Sequence, residues 1–163
     1  MNNLANTFRA ALVAGLASAS VAFASNTATQ TVTFEVQAIN ELSTSGNPGA
    51  LVVSTASAGS EPDVATDSST TYAITTNGTS KKITASISAA MPTGVTLKVE
   101  LGAPAGASAS QVTLGTTAVD AVTGITQVAE SGKSISYELS ALVTAGVVAS
   151  DSTTVTYTVV DSI

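Results

Sequence analysis

The chain has 163 residues, a formal net charge of −6, and no cysteine, histidine or tryptophan. The missing residue types exclude His-dependent catalytic triads, thiol chemistry and nitrogen–sulfur metal sites. With only five cationic side chains, the chain also lacks the basic surface that binds nucleic acid or anionic lipid. We therefore predict a protein that is not an enzyme, needs no cofactor or metal, and does not bind nucleic acid.

The first 24 residues have the features of a secretory signal peptide. Arg9 and the amino terminus provide positive charge, Ala10–Ala19 is an apolar run too short to span a membrane, and Ala22 and Ala24 flank a cleavage site. We expect cleavage before Ser25, which leaves 139 residues with four lysines and eleven carboxylates, a net charge of −7. The mature chain has no further run of membrane-spanning length, so we predict a secreted protein, either extracellular or at the cell surface.

Most of the mature chain alternates apolar and polar residues with a period of two, which is typical of β-strands. The predicted strands are, in chain order, Thr31–Val36, Tyr72–Thr76, Lys82–Ser88, Val95–Leu101, Val112–Leu114, Thr117–Val122, Ile125–Val128, Ser134–Ala141 and Thr154–Val159. Asn77-Gly78 predicts a type I′ hairpin turn between the second and third strands. The polar tract Ser54–Thr71 is expected to be an exposed loop.

This pattern predicts one all-β domain over residues 25–163. Eight to ten short strands with turn signals between them are typical of a two-sheet, immunoglobulin-like sandwich. A small β-barrel is the alternative.

A few residues could carry chemistry, and each has a simpler explanation. Lys81, Lys82 or Lys133 could pair with a serine, but the first two follow the predicted turn and are expected to be exposed, a poor position for a depressed pKa. Glu100 and Glu138 are the carboxylates that a glycosidase would need. Both are predicted on outward strand faces, where surface lysines would balance them.

Other candidates concern ligand binding. Glu61, Asp63 and Asp67 could hold calcium in a polar loop, although their spacing does not match an EF-hand and a solvated acidic loop is the expected alternative. The mature chain has four aromatic residues, each in register with the inward-facing apolar residues of its strand, which predicts core packing instead of a sugar-stacking platform. They are Phe34, Tyr72, Tyr137 and Tyr157. The glycosylation sequon Asn77-Gly78-Thr79 coincides with the predicted turn.

The predicted outward strand faces consist mainly of threonine and serine. Soluble sandwiches usually protect their edge strands with lysine, proline or inward-facing charge. This chain has few such residues, and its uncharged faces favour strand addition and lateral packing. The pattern indicates a subunit of an assembly more than a freely diffusing monomer.

The first predicted strand, Thr31–Val36, has Val32, Phe34 and Val36 on one face and is preceded by a short polar arm. Such a strand can complete its own sheet. It can also complete the sheet of a neighbour, where its backbone supplies hydrogen bonds and the apolar row fills pockets. We predict these three residues as the self-assembly site, with both kinds of pairing left open.

The chain has a signal peptide, an alternating strand at the mature amino terminus, and a Thr/Ser/Val-rich sandwich that ends in a strand near Thr153–Val160. This layout resembles self-assembling subunits of surface fibres: TasA-like and camelysin-like biofilm fibre subunits, archaeal bundling pilins and spore coat protein U-like fimbrial domains. The resemblance implies an extracellular filament of identical subunits held by donor-strand exchange. The alternative is a monomeric exported binding module for polysaccharide or a protein partner.

Overall fold

The structure is a computed structural model that describes residues 26–162. The predicted signal peptide and Ser25 lie outside the described residues. The chain divides into two units, Met1–Glu35 and Val36–Ile163, and the strands found within residues 26–162 all belong to the second.

The described residues contain nine β-strands and one 3-10 turn, at Val143–Ala145. The strands are β1 (Asn40–Thr44), β2 (Ala65–Thr76), β3 (Lys81–Ile87), β4 (Val95–Leu101), β5 (Ser108–Ala109), β6 (Val112–Thr113), β7 (Val119–Ile125), β8 (Val128–Ala141) and β9 (Val155–Asp161). Between residues 26 and 162 there is no helix with the length and apolar character needed to cross a membrane.

The strands form two antiparallel sheets. One has five strands in the order β1-β2-β8-β4-β6, and the other has four in the order β5-β7-β3-β9. The prediction of an all-β, two-sheet sandwich is therefore confirmed. The sheet that contains β1 therefore has one strand more than the sheet that contains β9.

The core lies between the two sheets and is built from alternate residues of the strands. Because successive side chains in a strand point to opposite faces, Ile83, Ala85 and Ile87 of β3 are buried while their neighbours are half-exposed. The largest side chains with almost no exposed surface are Ile74, Ile83, Val99, Val122, Ile125 and Ile135.

The predicted Asn77-Gly78 hairpin is not formed, because β2 and β3 belong to different sheets. The turn carries the chain from one layer of the sandwich to the other, and the residue with positive φ is Ser80 (53°). The Asn77 side chain accepts a hydrogen bond from the Ile39 N–H (2.8 Å) and donates one to the Gln37 carbonyl (2.7 Å). Asn77 thus binds the segment that leads into β1, a role that its sequence context did not predict.

The predicted loop Ser54–Thr71 is wrong in its second half. Strand β2 begins at Ala65, which pairs with Leu139 of β8. Thr70 is buried although the surrounding sequence is polar. Polar residues form a strand here because the 14-residue strand β8 extends far enough to supply the hydrogen-bonding partner.

The strands define two ends of the sandwich. At the entry end, β1, β3 and β8 begin and β2 and β9 end, as the pairs Asn40–Thr76 and Lys81–Asp161 show. At the far end lie three long connections, residues 45–64, 88–94 and 142–154.

Candidate assembly site

The predicted self-assembly residues lie in a segment without secondary structure. The structure assigns no strand to residues 26–39, so the alternative in which Thr31–Val36 completes its own sheet is wrong, while pairing with a neighbour stays a prediction. Alternation alone does not make a strand, because backbone N–H and C=O groups also need a partner to pair with. Val32 is 72%, Phe34 88% and Val36 79% exposed. Core packing of Phe34 within this chain is therefore a wrong prediction as well.

The residues after Val36 are held at the entry end. Asn77 donates its backbone N–H to the Ile39 carbonyl (3.3 Å), and the Asn40 side chain accepts a hydrogen bond from the Thr76 hydroxyl (2.7 Å). Only residues 37–39 separate Val36 from β1. The point at which the amino-terminal segment joins the sandwich is thus fixed.

The outer edge of β9 has no strand beside it among the described residues. Towards β3, Ser88 donates to the Thr154 carbonyl (2.9 Å) and Ser162 donates to the Ser80 carbonyl (2.7 Å). In an antiparallel pair every second residue forms these bonds, so the residues between them direct N–H and C=O outwards. The residues with outward-directed backbone groups are Val155, Tyr157, Val159 and Asp161.

Three of these residues, Val155, Tyr157 and Val159, have side chains that face the interior of the sandwich but are incompletely covered, whereas Asp161 is exposed and pairs with Lys81. Val155, Tyr157 and Val159 are half-buried and pack against the core. Tyr157 lines a narrow apolar cavity together with Leu42 of β1, Tyr72, Ile83 and Ile135. The cavity therefore lies beside both β1 and β9, which are the edge strands of the two sheets on the same side of the sandwich.

The tyrosine hydroxyls near this cavity all form hydrogen bonds. The Tyr137 and Tyr157 hydroxyls are 2.8 Å apart and join β8 to β9, and the Tyr72 hydroxyl donates to the Gly102 carbonyl (2.6 Å). Burial raises the pKa of all three phenols, that of Tyr72 to about 12. The cavity walls thus carry no charge at neutral pH.

The remaining sheet edges suit strand addition less well. Strands β5 and β6 have two residues each. The face of β1 that carries Leu42 otherwise has the polar residues Asn40 and Thr44. The edge of β9 is seven residues long and carries an apolar row, while its outer face has the uncharged residues Thr156 and Thr158.

Exposed apolar side chains also collect at the far end of the sandwich. They lie in the connections before β2 and between β8 and β9, and Val147 is fully exposed. A hydrogen bond from the Val143 N–H to Glu61 (2.7 Å) joins these two connections. We call these residues the far-end apolar group: Val52, Val64, Leu142, Val143, Val147 and Val148.

The carboxylates considered for calcium bind separate protein groups. Asp63 accepts a hydrogen bond from the Thr55 hydroxyl (2.8 Å), and Glu61 accepts the bond from Val143. Hydrogen bonds from the Ser69 hydroxyl and backbone lower the pKa of Asp67. The structure contains no group of three or more potential metal ligands within residues 26–162.

The residues considered for catalysis form ion pairs. Lys81 pairs with Asp161, Lys82 with Asp120 (3.1 Å) and Lys133 with Glu130 (2.5 Å). The side chains of Lys81 and Lys82 are 15% and 21% exposed, less than predicted, because each lies along its carboxylate partner.

The two glutamates considered for glycoside hydrolysis lie on neighbouring strands. Lys98 lies 3.0 Å from Glu138, and its hydrogen bond lowers the pKa of that carboxyl group. Glu100 is exposed and lies opposite Ser136 of β8. Lysine therefore balances the charge of Glu138, whereas no ion pair is formed by Glu100 among the described residues.

The tyrosines do not form a sugar-stacking platform. Tyr72 and Tyr137 are 3% and 7% exposed, and Tyr157 is half-buried. Core packing is therefore confirmed for Tyr72 and Tyr137, while Tyr157 also borders the open edge.

No protein family, curated protein or solved structure matches this chain. The functional conclusions therefore depend on the geometry of the chain itself. Within residues 26–162, the segment at residues 31–36, the edge of β9 and the far-end apolar group are the exposed apolar features that bear on assembly.

Proposed function

We propose that the protein is a structural subunit of an extracellular filament or surface layer. In this assembly, residues 31–36 of one copy, the donor segment, complete the sandwich of the next copy by adding a strand. One observation carries the proposal: within residues 26–162, an exposed alternating segment that forms no strand occurs together with a sheet edge of similar length that has no neighbouring strand.

The exposure of the donor segment gives the assembly a driving force. Burial of a valine or phenylalanine side chain contributes about 1.5–3 kcal/mol, and Val32, Phe34 and Val36 are all more than two-thirds exposed. Strand addition would bury this row and would also pair backbone groups on both chains. Association must offset the loss of translational and rotational freedom, which the combined burial of three apolar side chains can do.

The sequence is consistent with a location outside the cell. The predicted signal peptide would direct export, and the absence of cysteine makes folding independent of disulfide formation. A monomeric binding module would need a recognition surface, and the described residues offer neither an exposed tyrosine platform nor a metal cluster. No observation specifically favours that alternative.

The proposal is tested with Phe34→Asp in the mature protein, which places a charge in the middle of the donor row. Because Phe34 is 88% exposed, the substitution should change the free energy of unfolding of the isolated subunit by less than about 0.5 kcal/mol. We expect wild-type protein to form polymers in electron microscopy and analytical ultracentrifugation, and the variant to stay monomeric. A synthetic Ser25–Val36 peptide should bind the variant and raise its melting temperature, because its acceptor edge is intact.

Thr33→Asp is the matched control. It places the same charge one residue away, on the face of the donor strand that would point to solvent, and should leave polymerisation largely intact. A wild-type protein that stays monomeric, with a Phe34→Asp variant that does not bind the peptide, would refute the proposal. Equal loss of assembly in both variants would refute the alternating geometry on which it depends.

A further inference from the structure

We infer that the donor segment adds antiparallel to the outer edge of β9, with Phe34 of one copy opposite Tyr157 of the next. This inference rests on the proposed function, and it specifies the acceptor edge, the strand direction and the register. The occupant of the edge is the same segment of a second copy of this chain.

The edge is identified by the coincidence of two features in β9. In Val155, Tyr157 and Val159 the N–H and C=O groups point outwards and the side chains face the half-covered interior. An added strand would therefore form hydrogen bonds and cover the cavity at Tyr157 and Leu42 in one step. It would also bring the four-stranded sheet to five strands, equal to the sheet that it faces.

The register follows from the apolar rows. Directly opposite residues of an antiparallel pair point to the same face. With Phe34 opposite Tyr157, Val32 lies opposite Val159 and Val36 opposite Val155, so all three apolar residues of the donor face apolar residues of β9.

Other registers match less well. A shift of two residues in one direction places Val32 opposite Asp161, and a shift in the other places Val36 opposite Thr153, outside β9. A shift of one residue turns Phe34 to solvent.

The direction follows from the two ends of the sandwich. Strand β9 runs from the far end to the entry end, so an antiparallel donor strand leaves the acceptor at the far end. In the donor subunit Asn77 binds Gln37 and Ile39 at the entry end, so Val36 of the donor strand lies directly beside that end of its own subunit. The entry end of the donor would therefore meet the far end of the acceptor and cover the far-end apolar group, as expected for exposed apolar residues at an interface.

A parallel donor strand would give a different assembly. It would leave the acceptor at the entry end and bring two entry ends together, with the far-end apolar group uncovered. Each copy could then exchange strands with the other, which closes a dimer. Antiparallel addition joins unlike ends, and such contacts continue as a filament when the rotation does not close a ring.

The experiment uses pairs of introduced cysteines, because the chain has none of its own. In the proposed arrangement Thr31 lies opposite Val160 in a pair without mutual hydrogen bonds, where Cα atoms are about 4.5 Å apart, within reach of a disulfide. The parallel arrangement with the same central pair places Thr31 beside Thr154. The two double variants, Thr31→Cys with Val160→Cys and Thr31→Cys with Thr154→Cys, are assembled, oxidised and run on a non-reducing denaturing gel.

We expect a ladder of covalent multimers from the Val160 variant and only monomer from the Thr154 variant. Multimers or dimers from the Thr154 variant alone would overturn the direction while leaving strand exchange in place. Polymers in electron microscopy without a cross-link in either variant would overturn β9 as the acceptor in this register. Cross-linked monomer without any polymer would show pairing within one chain and would overturn the proposed function as well.

Discussion

The affinity of the donor segment for its acceptor should depend mainly on the Phe34 side chain. Removal of that side chain in Phe34→Ala takes away the largest group that moves from water into the groove. Phe34 is 88% exposed in the free subunit, so nearly its whole burial is gained on binding, about 2–3 kcal/mol. Since 1.4 kcal/mol corresponds to a tenfold change in Kd, the substitution should weaken binding by about 30- to 150-fold.

The assay uses a fluorescently labelled Ser25–Val36 peptide and the mature Phe34→Asp protein as a monomeric acceptor. Fluorescence anisotropy gives the Kd of the wild-type peptide, of the Phe34→Ala peptide and of a Thr33→Ala peptide. The last of these changes an outward-facing side chain and should alter Kd by less than about threefold, within the range of an ordinary surface substitution.

A stability measurement separates docking from folding. In the mature protein, Phe34→Ala should leave the free energy of unfolding of the monomer nearly unchanged, since the Phe34 side chain is exposed. Ile83→Ala removes a side chain with no exposed surface and should cost about 2–5 kcal/mol. Equal Kd values for the wild-type and Phe34→Ala peptides would refute burial of this ring, as would a destabilised Phe34→Ala monomer.

Two further predictions concern processing and pH. Mature protein from its native host should begin at Ser25, and an intact mass that retains residues 1–24 would contradict the predicted signal peptide. Because the folded-state pKa of Tyr72 is raised from 10.0 to about 12, the stability that this phenol contributes is complete below pH 10 and is lost as pH rises towards 12, by about 3 kcal/mol. Tyrosinate absorbance should therefore rise together with the loss of β-sheet circular dichroism, and a phenol that titrates near pH 10 in the folded protein would contradict its burial.

Much of the fold follows from local pattern. In β3, β4 and the second half of β8, apolar residues alternate with polar ones, and such rows are buried when one face of a sheet is covered. The sequence therefore determined the all-β class, the identity of most core residues and the weak protection of the edges, while the choice of a sandwich over a small barrel came from the strand order. The apolar row of the donor segment was also visible, since Val32, Phe34 and Val36 follow the same alternation.

The alternation of apolar and polar residues did not show which distant parts of the chain pair with each other. The Asn77-Gly78 turn connects the two sheets, and Asn77 binds Gln37 and Ile39, which lie about forty residues earlier in the chain. The polar residues that begin β2 form a strand because β8 lies beside them. Local propensity does not carry information of this kind, since a strand exists only with its partner.

The assembly site shows most clearly which properties follow from the sequence and which depend on the tertiary structure. The sequence by itself determined that Thr31–Val36 suits a strand and that Val155–Val159 suits another. Only the tertiary structure decided that the first segment is in neither sheet and that the second lies at an edge with outward-directed backbone groups. Alternation specifies which face of a strand is apolar, whereas the order of strands in a sheet specifies which backbone groups are left to pair with another chain.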